Sequence, residues 1–144
     1  MRVAISFDNS QSAVKALNFA LSLSSVCEEY IVIHVNPTLV RALTGADGIF
    51  SETVVTDQEQ YGTKVKSAAE EYLKPKGVKY TYIIIEGTGD DVASRIISKC
   101  EELKADLIIT GTRKLSGISK FILGSVSSEI IKLSKVPVMV VPPD

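Results

Sequence analysis

The sequence predicts an α/β fold: one domain over residues 1–144, a doubly wound five-stranded parallel sheet with helices on both faces. Three observations lead there. Short runs rich in Val and Ile alternate with longer segments whose apolar residues recur every three to four positions. The short runs are apolar on consecutive residues, as strands buried on both faces require. The resulting order, β-α-β-α-β-α-β-α-β, closes through right-handed crossovers into a parallel sheet between two helical layers. The most economical strand order is 3-2-1-4-5, which sets strands one and four side by side.

Strand one runs from Arg2 to Phe7 and ends at Asp8, where Asn9 and Ser10 are able to cap the next helix. That helix carries Ala13, Val14, Ala16, Leu17, Ala20, Leu21 and Leu23 on one face and is expected to reach about Cys27. Strand two is Tyr30 to Val35, closed by Asn36-Pro37. From Thr38 to about Val55 no period survives, and a loop of that length in a compact domain points to a lid or a partner surface. Thr56 with Glu59 makes a capping box for a second helix, which runs to Lys74 and is stopped by Pro75 and Gly77.

Strand three spans Lys79 to Glu86, Gly87-Thr88-Gly89 makes a turn, and Asp90 or Asp91 caps a helix bearing Val92, Ile96, Ile97, Cys100 and Leu103. Ala105 to Thr110 is strand four. The stretch GTRKLSGISKFILGSVS, Gly111 to Ser127, joins it to a helix from Val126 to Leu133, and Val136 to Val141 is the last strand.

Composition excludes several classes. A net charge of −1 gives no electrostatic case for nucleic acid or an anionic membrane. No apolar run approaches the ~20 residues of a membrane span, and MRVAISFD enters a strand without a signal-peptide core, so a cytoplasmic protein is expected. Cys27 and Cys100 fall in predicted helices as small hydrophobes. His34, the one histidine, lacks the companions of a metal cluster or triad and is expected to pack or hydrogen-bond beside the sheet.

Sheets of this kind bind ligands outside the carboxyl ends of the strands, where the strand order reverses. Here those ends are Asp8 and Gly111. Beyond Gly124, a helix entrance offers free N–H groups and a positive dipole end to an anion such as phosphate, with Ser125 and Ser127 adding hydroxyls. A plain connector with turn glycines and capping serines fits the same residues, and Asp8 also reads as a helix cap.

ISFDNSQSAVKALNFAL, IHV at Ile33 to Val35, Gly89-Asp90, GTRKLSGISKFILGSVS and VPVMVV follow in order across nearly the whole chain. Together they resemble the universal stress protein family, with Asn9 where glycine is common. The resemblance implies a regulatory protein that binds ATP, or AMP or ADP, with slow or no hydrolysis. It implies a site of Ser6, Phe7, Asp8, Val35, Gly111, Thr112, Arg113, Lys114, Gly124, Ser125, Val126 and Ser127, with Asp8 as a ligand for nucleotide-borne Mg²⁺.

ATP-binding members carry G-x2-G-x9-G-(S/T). Gly111 and Gly124-Ser125 match it, whereas Lys114 replaces the middle glycine, at a cost of about 1–2 kcal/mol if that position needs φ > 0. The alternative is a nucleotide-free dimeric interaction module of the same family. A receiver, a dinucleotide-binding dehydrogenase and an ATP pyrophosphatase each lack their defining residues, and no P-loop is present. The family also implies a homodimer through Val136–Val141, which the order places at a sheet edge with Pro137 at its start.

Overall fold

Consecutive residues of a parallel strand serve opposite layers, and this chain builds its two cores in that way. The computed structural model describes residues 1–37, 52–87, 91–114 and 121–143. Its elements are β1 (Arg2–Ser6), α1 (Gln11–Ser22), β2 (Glu29–Pro37), α2 (Glu52–Leu73) with a 3₁₀ turn (Lys74–Lys76), β3 (Tyr80–Gly87), α3 (Val92–Glu102), β4 (Leu107–Gly111), β5 (Arg113–Lys114), β6 (Phe121–Ile122), α4 (Ser125–Leu133) and β7 (Val138–Val141). The sheet order is β3-β2-β1-β4-β7, all parallel, which is the order 3-2-1-4-5 expected.

Val3, Ile5, Tyr30, Val32 and Ile109 face one way, onto Ala16, Leu17 and Ala20 of α1 and Val65, Ala69 and Leu73 of α2. Ala4, Ile31, Ile33 and Ile108 face the other way, onto Ala93, Ile96, Ile97 and Cys100 of α3 and Ile130 of α4. Burying each of these larger side chains contributes about 1.5–3 kcal/mol.

The amino ends of three strands are pinned by one carboxylate. Glu29 is buried and accepts from Thr81 Oγ1 at 2.8 Å, with Arg2 Nε at 3.3 Å and Lys79 Nζ at 3.6 Å. The Thr81 hydrogen bond, helped by Lys79 and Arg2 against the cost of burial, holds this carboxyl below its usual range. The opposite end of the sheet is left for the site.

Several boundaries differ from expectation. Helix α1 stops at Ser22 and Cys27 lies after it, half-buried, with its Sγ 3.2 Å from the Glu29 carbonyl. The serines explain this: Ser22 Oγ donates to the Phe19 carbonyl at 2.6 Å, a local bond that competes with another helical turn. Helix α2 begins at Glu52, so Thr56 lies inside it and the capping box gives way. No glycine or proline interrupts 52–59, so the sequence carries no breaker that would hold the helix back to Thr56.

Of the expected loop from Thr38 to Val55, residues 38–51 lie outside the described residues and 52–55 are helical. Gly87 closes β3, and 88–90, with Asp90 and most of the expected turn, also lie outside the described residues. Asp91 holds the N-cap position of α3, but its carboxylate takes Arg95 Nε at 2.7 Å and makes no capping bond. The last strand begins at Val138, because Ser134 Oγ bonds both the N–H and the carbonyl of Val136 and Pro137 has no N–H to give. Among the described residues, no helix is long and apolar enough to cross a membrane.

Candidate functional site

Strands β1 and β4 lie side by side, and the sequence just past each forms one rim of a cavity. Past β1, Phe7 N–H still donates to the Ile33 carbonyl at 2.8 Å, and then the chain turns. Asp8 Oδ1 accepts from Ser10 N–H at 2.9 Å, and Asn9 takes the left-handed backbone (φ 61°) that asparagine tolerates better than most residues. Ser10, not Asp8 or Asn9, caps α1: its Oγ accepts from Ala13 N–H at 3.3 Å. The Asp8 side chain therefore stays at the rim, where its Oδ2 meets Arg113 at 3.5 Å.

Past β4, the glycine at 111 is demanded by the protein's own packing. A Cβ there would collide with the Ser12 carbonyl oxygen and lie 2.7 Å from its carbon, so glycine lets the first turn of α1 seat against β4. Thr112 is buried, and both its N–H (3.0 Å) and its Oγ1 (3.4 Å) bond the Val141 carbonyl. Lys114 sits on β5 opposite Phe121, in extended backbone, so the strain expected of a non-glycine residue does not arise; the side chain of Lys114 lies outside the described residues. The β5–β6 pair was not legible in the sequence.

Helix α4 enters at Gly124 (φ −60°, ψ 161°), where an added Cβ would meet nothing within 4 Å. The first backbone bond of the helix is Ser128 N–H to Gly124 carbonyl at 3.0 Å, so the N–H groups of Ser125, Val126 and Ser127 have no intrahelical acceptor. Ser125 is exposed and Val126 half-buried. Ser127 is buried and committed to the protein: its Oγ donates to the Gly111 carbonyl at 3.3 Å and lies 3.1 Å from Thr110 Oγ1. This chain of hydroxyls clamps α4 to the end of β4.

The cavity between these rims has a volume of about 430 Å³. Ser6, Phe7, Asp8, Val35, Gly111, Arg113, Gly124, Ser125, Val126 and Ser127 line it, all of them expected. Thr112 does not, its hydroxyl being turned to β7. Ser10, Ser12, Ala13, Val92, Ile96 and Thr110 also line it and were missed. A signal existed for Val92 and Ile96, which sit one turn apart at the start of α3, beside a strand end. Apolar lining comes from Phe7, Ala13, Val35, Val92, Ile96 and Val126, and polar lining from the two rims and Thr110.

Behind the wall, His34 is buried with its Nδ1 3.1 Å from the Phe7 carbonyl; burial pushes its imidazole below the ordinary range, against the Phe7 bond and the Asp8 charge. Among the described residues no cluster of His, Cys, Asp and Glu is built to hold a metal. Among the described residues Asp8 is the one carboxylate in the lining, too few oxygens for Mg²⁺ without phosphate ligands.

A family model described as the universal stress protein family matches residues 1–142. Among curated proteins, the chain is 32% identical to universal stress protein MJ0531 of Methanocaldococcus jannaschii, over 91% of this chain and 73% of that one. It is 29% identical to universal stress protein YxiE of Bacillus subtilis, over 97% of each. Among solved structures, protein MJ0577 superposes with a TM-score of 0.79 at 24% identity, over 99% of this chain and 96% of that one. A universal stress protein from Archaeoglobus fulgidus in complex with dAMP gives 0.70 at 18%, over 97% and 96%. A universal stress protein in complex with cAMP gives 0.68 at 20%, over 99% of this chain and 96% of that one. These likenesses establish a common fold.

Proposed function

The chain belongs to the universal stress protein family, and from that premise we propose that it is a regulatory protein holding an adenine nucleotide, ATP foremost, between its Asp8 corner and the entrance of α4. The observation that carries this reading is the convergence of these two distant pieces of chain on one cavity, apolar in part and rimmed by N–H groups and a guanidinium. The complexes of related structures with dAMP and cAMP support the same ligand class.

In this reading the adenine lies against Val35, Val92 and Ile96, with the Val35 backbone reading its edge and Asp8 near the ribose. Phosphates take the N–H groups of Ser125 to Ser127 and exchange Arg113 away from Asp8. Asp8, the one carboxylate in the described lining, would hold a Mg²⁺ that arrived with the nucleotide, and the ion would supply charge neutralisation. Slow or absent hydrolysis belongs to this reading, because Asp8 is engaged by Ser10 N–H and Arg113 rather than left free to activate a water.

A thermal melt tests the reading: a ligand held only by the native state at a hundred times its Kd adds about 2.7 kcal/mol, enough to raise the Tm by several degrees. An unchanged Tm at millimolar ATP would favour the nucleotide-free interaction module, a reading that Lys114 in place of the motif's middle glycine supports. We also propose a cytoplasmic homodimer whose copies pair antiparallel, about a twofold axis, through Val136–Val141. Strand β7 stands at the end of the described sheet and Met139 is exposed on it.

A further inference from the structure

The sheet stops supporting β1 where the cavity begins. Ser6 is the last residue of the strand, and Phe7 keeps only its N–H in the sheet, on the Ile33 carbonyl. Its own carbonyl points to His34 Nδ1 at 3.1 Å, from a ring that is 1% exposed. A carbonyl only accepts, so Nδ1 must carry the proton, and in the neutral ring Nε2 is left as a bare lone pair. That nitrogen is buried and has no hydrogen-bond partner among the described residues; the neighbouring ring is Tyr61 of α2, 6.0 Å away and tilted by 53°. The Phe7 bond is thus the one hydrogen bond of this imidazole among the described residues.

Beyond Phe7 comes the strained part of the turn. Asn9 sits at φ 61°, and on its far side Ser10 is tied to α1. A turn of that kind persists when both ends are held. Ser10 holds one end, and the Phe7 carbonyl on His34 holds the other. Between them lies Asp8, whose carboxylate reaches the cavity.

We propose that His34 is a positioning residue: its Nδ1–H grips the Phe7 carbonyl and so sets the turn that presents Asp8 to the nucleotide. The second half of this statement rests on the nucleotide reading; the first does not. Two substitutions separate a positioning role from mere packing. His34→Asn keeps an N–H donor close to the position of Nδ1, while His34→Leu fills similar space with no donor.

Hydrogen exchange of the full chain reads the turn directly through the Ser10 amide, which is bonded to Asp8 Oδ1, with the Ile31 amide as the core reference. In His34→Leu the Ser10 amide is expected to exchange roughly tenfold faster relative to Ile31, the loss of about one hydrogen bond. In His34→Asn it is expected to stay within about threefold of the native rate. ATP affinity should follow the same order, falling roughly tenfold in the Leu variant and recovering in the Asn variant.

Equal Ser10 exchange in the two variants overturns the proposal. Native protein that binds no ATP overturns the nucleotide reading and leaves the exchange result to decide on His34. Should the Leu variant not fold, ¹⁵N resonances of the native imidazole decide instead: a protonated Nδ1 supports the grip, and a protonated Nε2 with bare Nδ1 ends it.

Discussion

Gly111 and Gly124 occupy equivalent-looking places in the sequence motif, yet the structure gives them different work. At 111 the missing Cβ is space taken by Ser12 of the same chain, whereas at 124 it opens on the cavity side of a helix entrance. Gly111→Ala is therefore expected to destabilise the fold by about 1–3 kcal/mol through overcrowding, seen as a drop in Tm. Gly124→Ser is expected to leave stability unchanged or slightly raised, because serine is a good N-cap, while weakening ATP binding measured by calorimetry. Asp8 and Arg113 form an exposed pair, so Asp8→Asn is expected to change unfolding free energy by less than about 1 kcal/mol and to lower ATP affinity at least severalfold. The sequence marked Asp8, Gly111 and Gly124-Ser125 because their chemistry sits at element ends. It did not mark Thr110 or Ser12, whose part depends on which helix turn lands against which strand.

Among elements, the strands were legible as apolar runs and their ends were not. Val136 is spent in a turn with Ser134, and the two-residue strands β5 and β6 are too short to show any period. Two buried groups make the sheet's stability depend on pH with the same sign. Glu29 is held below its ordinary 4.5, chiefly by Thr81, so its contribution is complete above that value and is lost as pH falls from there through the lowered folded pKa. His34 is held below its ordinary 6.5 by burial, so the unfolded chain takes its proton first and stability is lost as pH falls below 6.5. Denaturant melts across a pH series should show one decline starting near 6.5 and a further one below 4.5. His34→Asn is expected to remove the upper decline, and Glu29→Gln to reduce the lower, to which Glu70, also held below 4.5 by Lys74, contributes; a profile unchanged by either substitution would contradict the assignment.

At the scale of the whole molecule, alternation and handedness foretold a parallel sheet, and the most economical order, 3-2-1-4-5, is the one observed. It sets the strand ends at Asp8 and Gly111 on one cavity, with Gly124 on its rim. What pattern cannot carry is the cavity's apolar wall, to which Val92 and Ile96 of α3 and Val35 of β2 contribute. Assembly belongs to this scale too. Met139 lies exposed on edge strand β7, so Met139→Lys is expected to convert the proposed dimer to a monomer in sedimentation, with the fold intact. The central claim, one adenine nucleotide between the Asp8 corner and the α4 entrance, is tested most directly by titrating ¹⁵N-labelled protein with ATP. The expected result is saturable shifts at Asp8, Val35, Gly111 and Gly124 through Ser127, with the amino-end residues around Glu29 still. No shifts at millimolar ATP, or shifts gathered elsewhere on the surface, would contradict it.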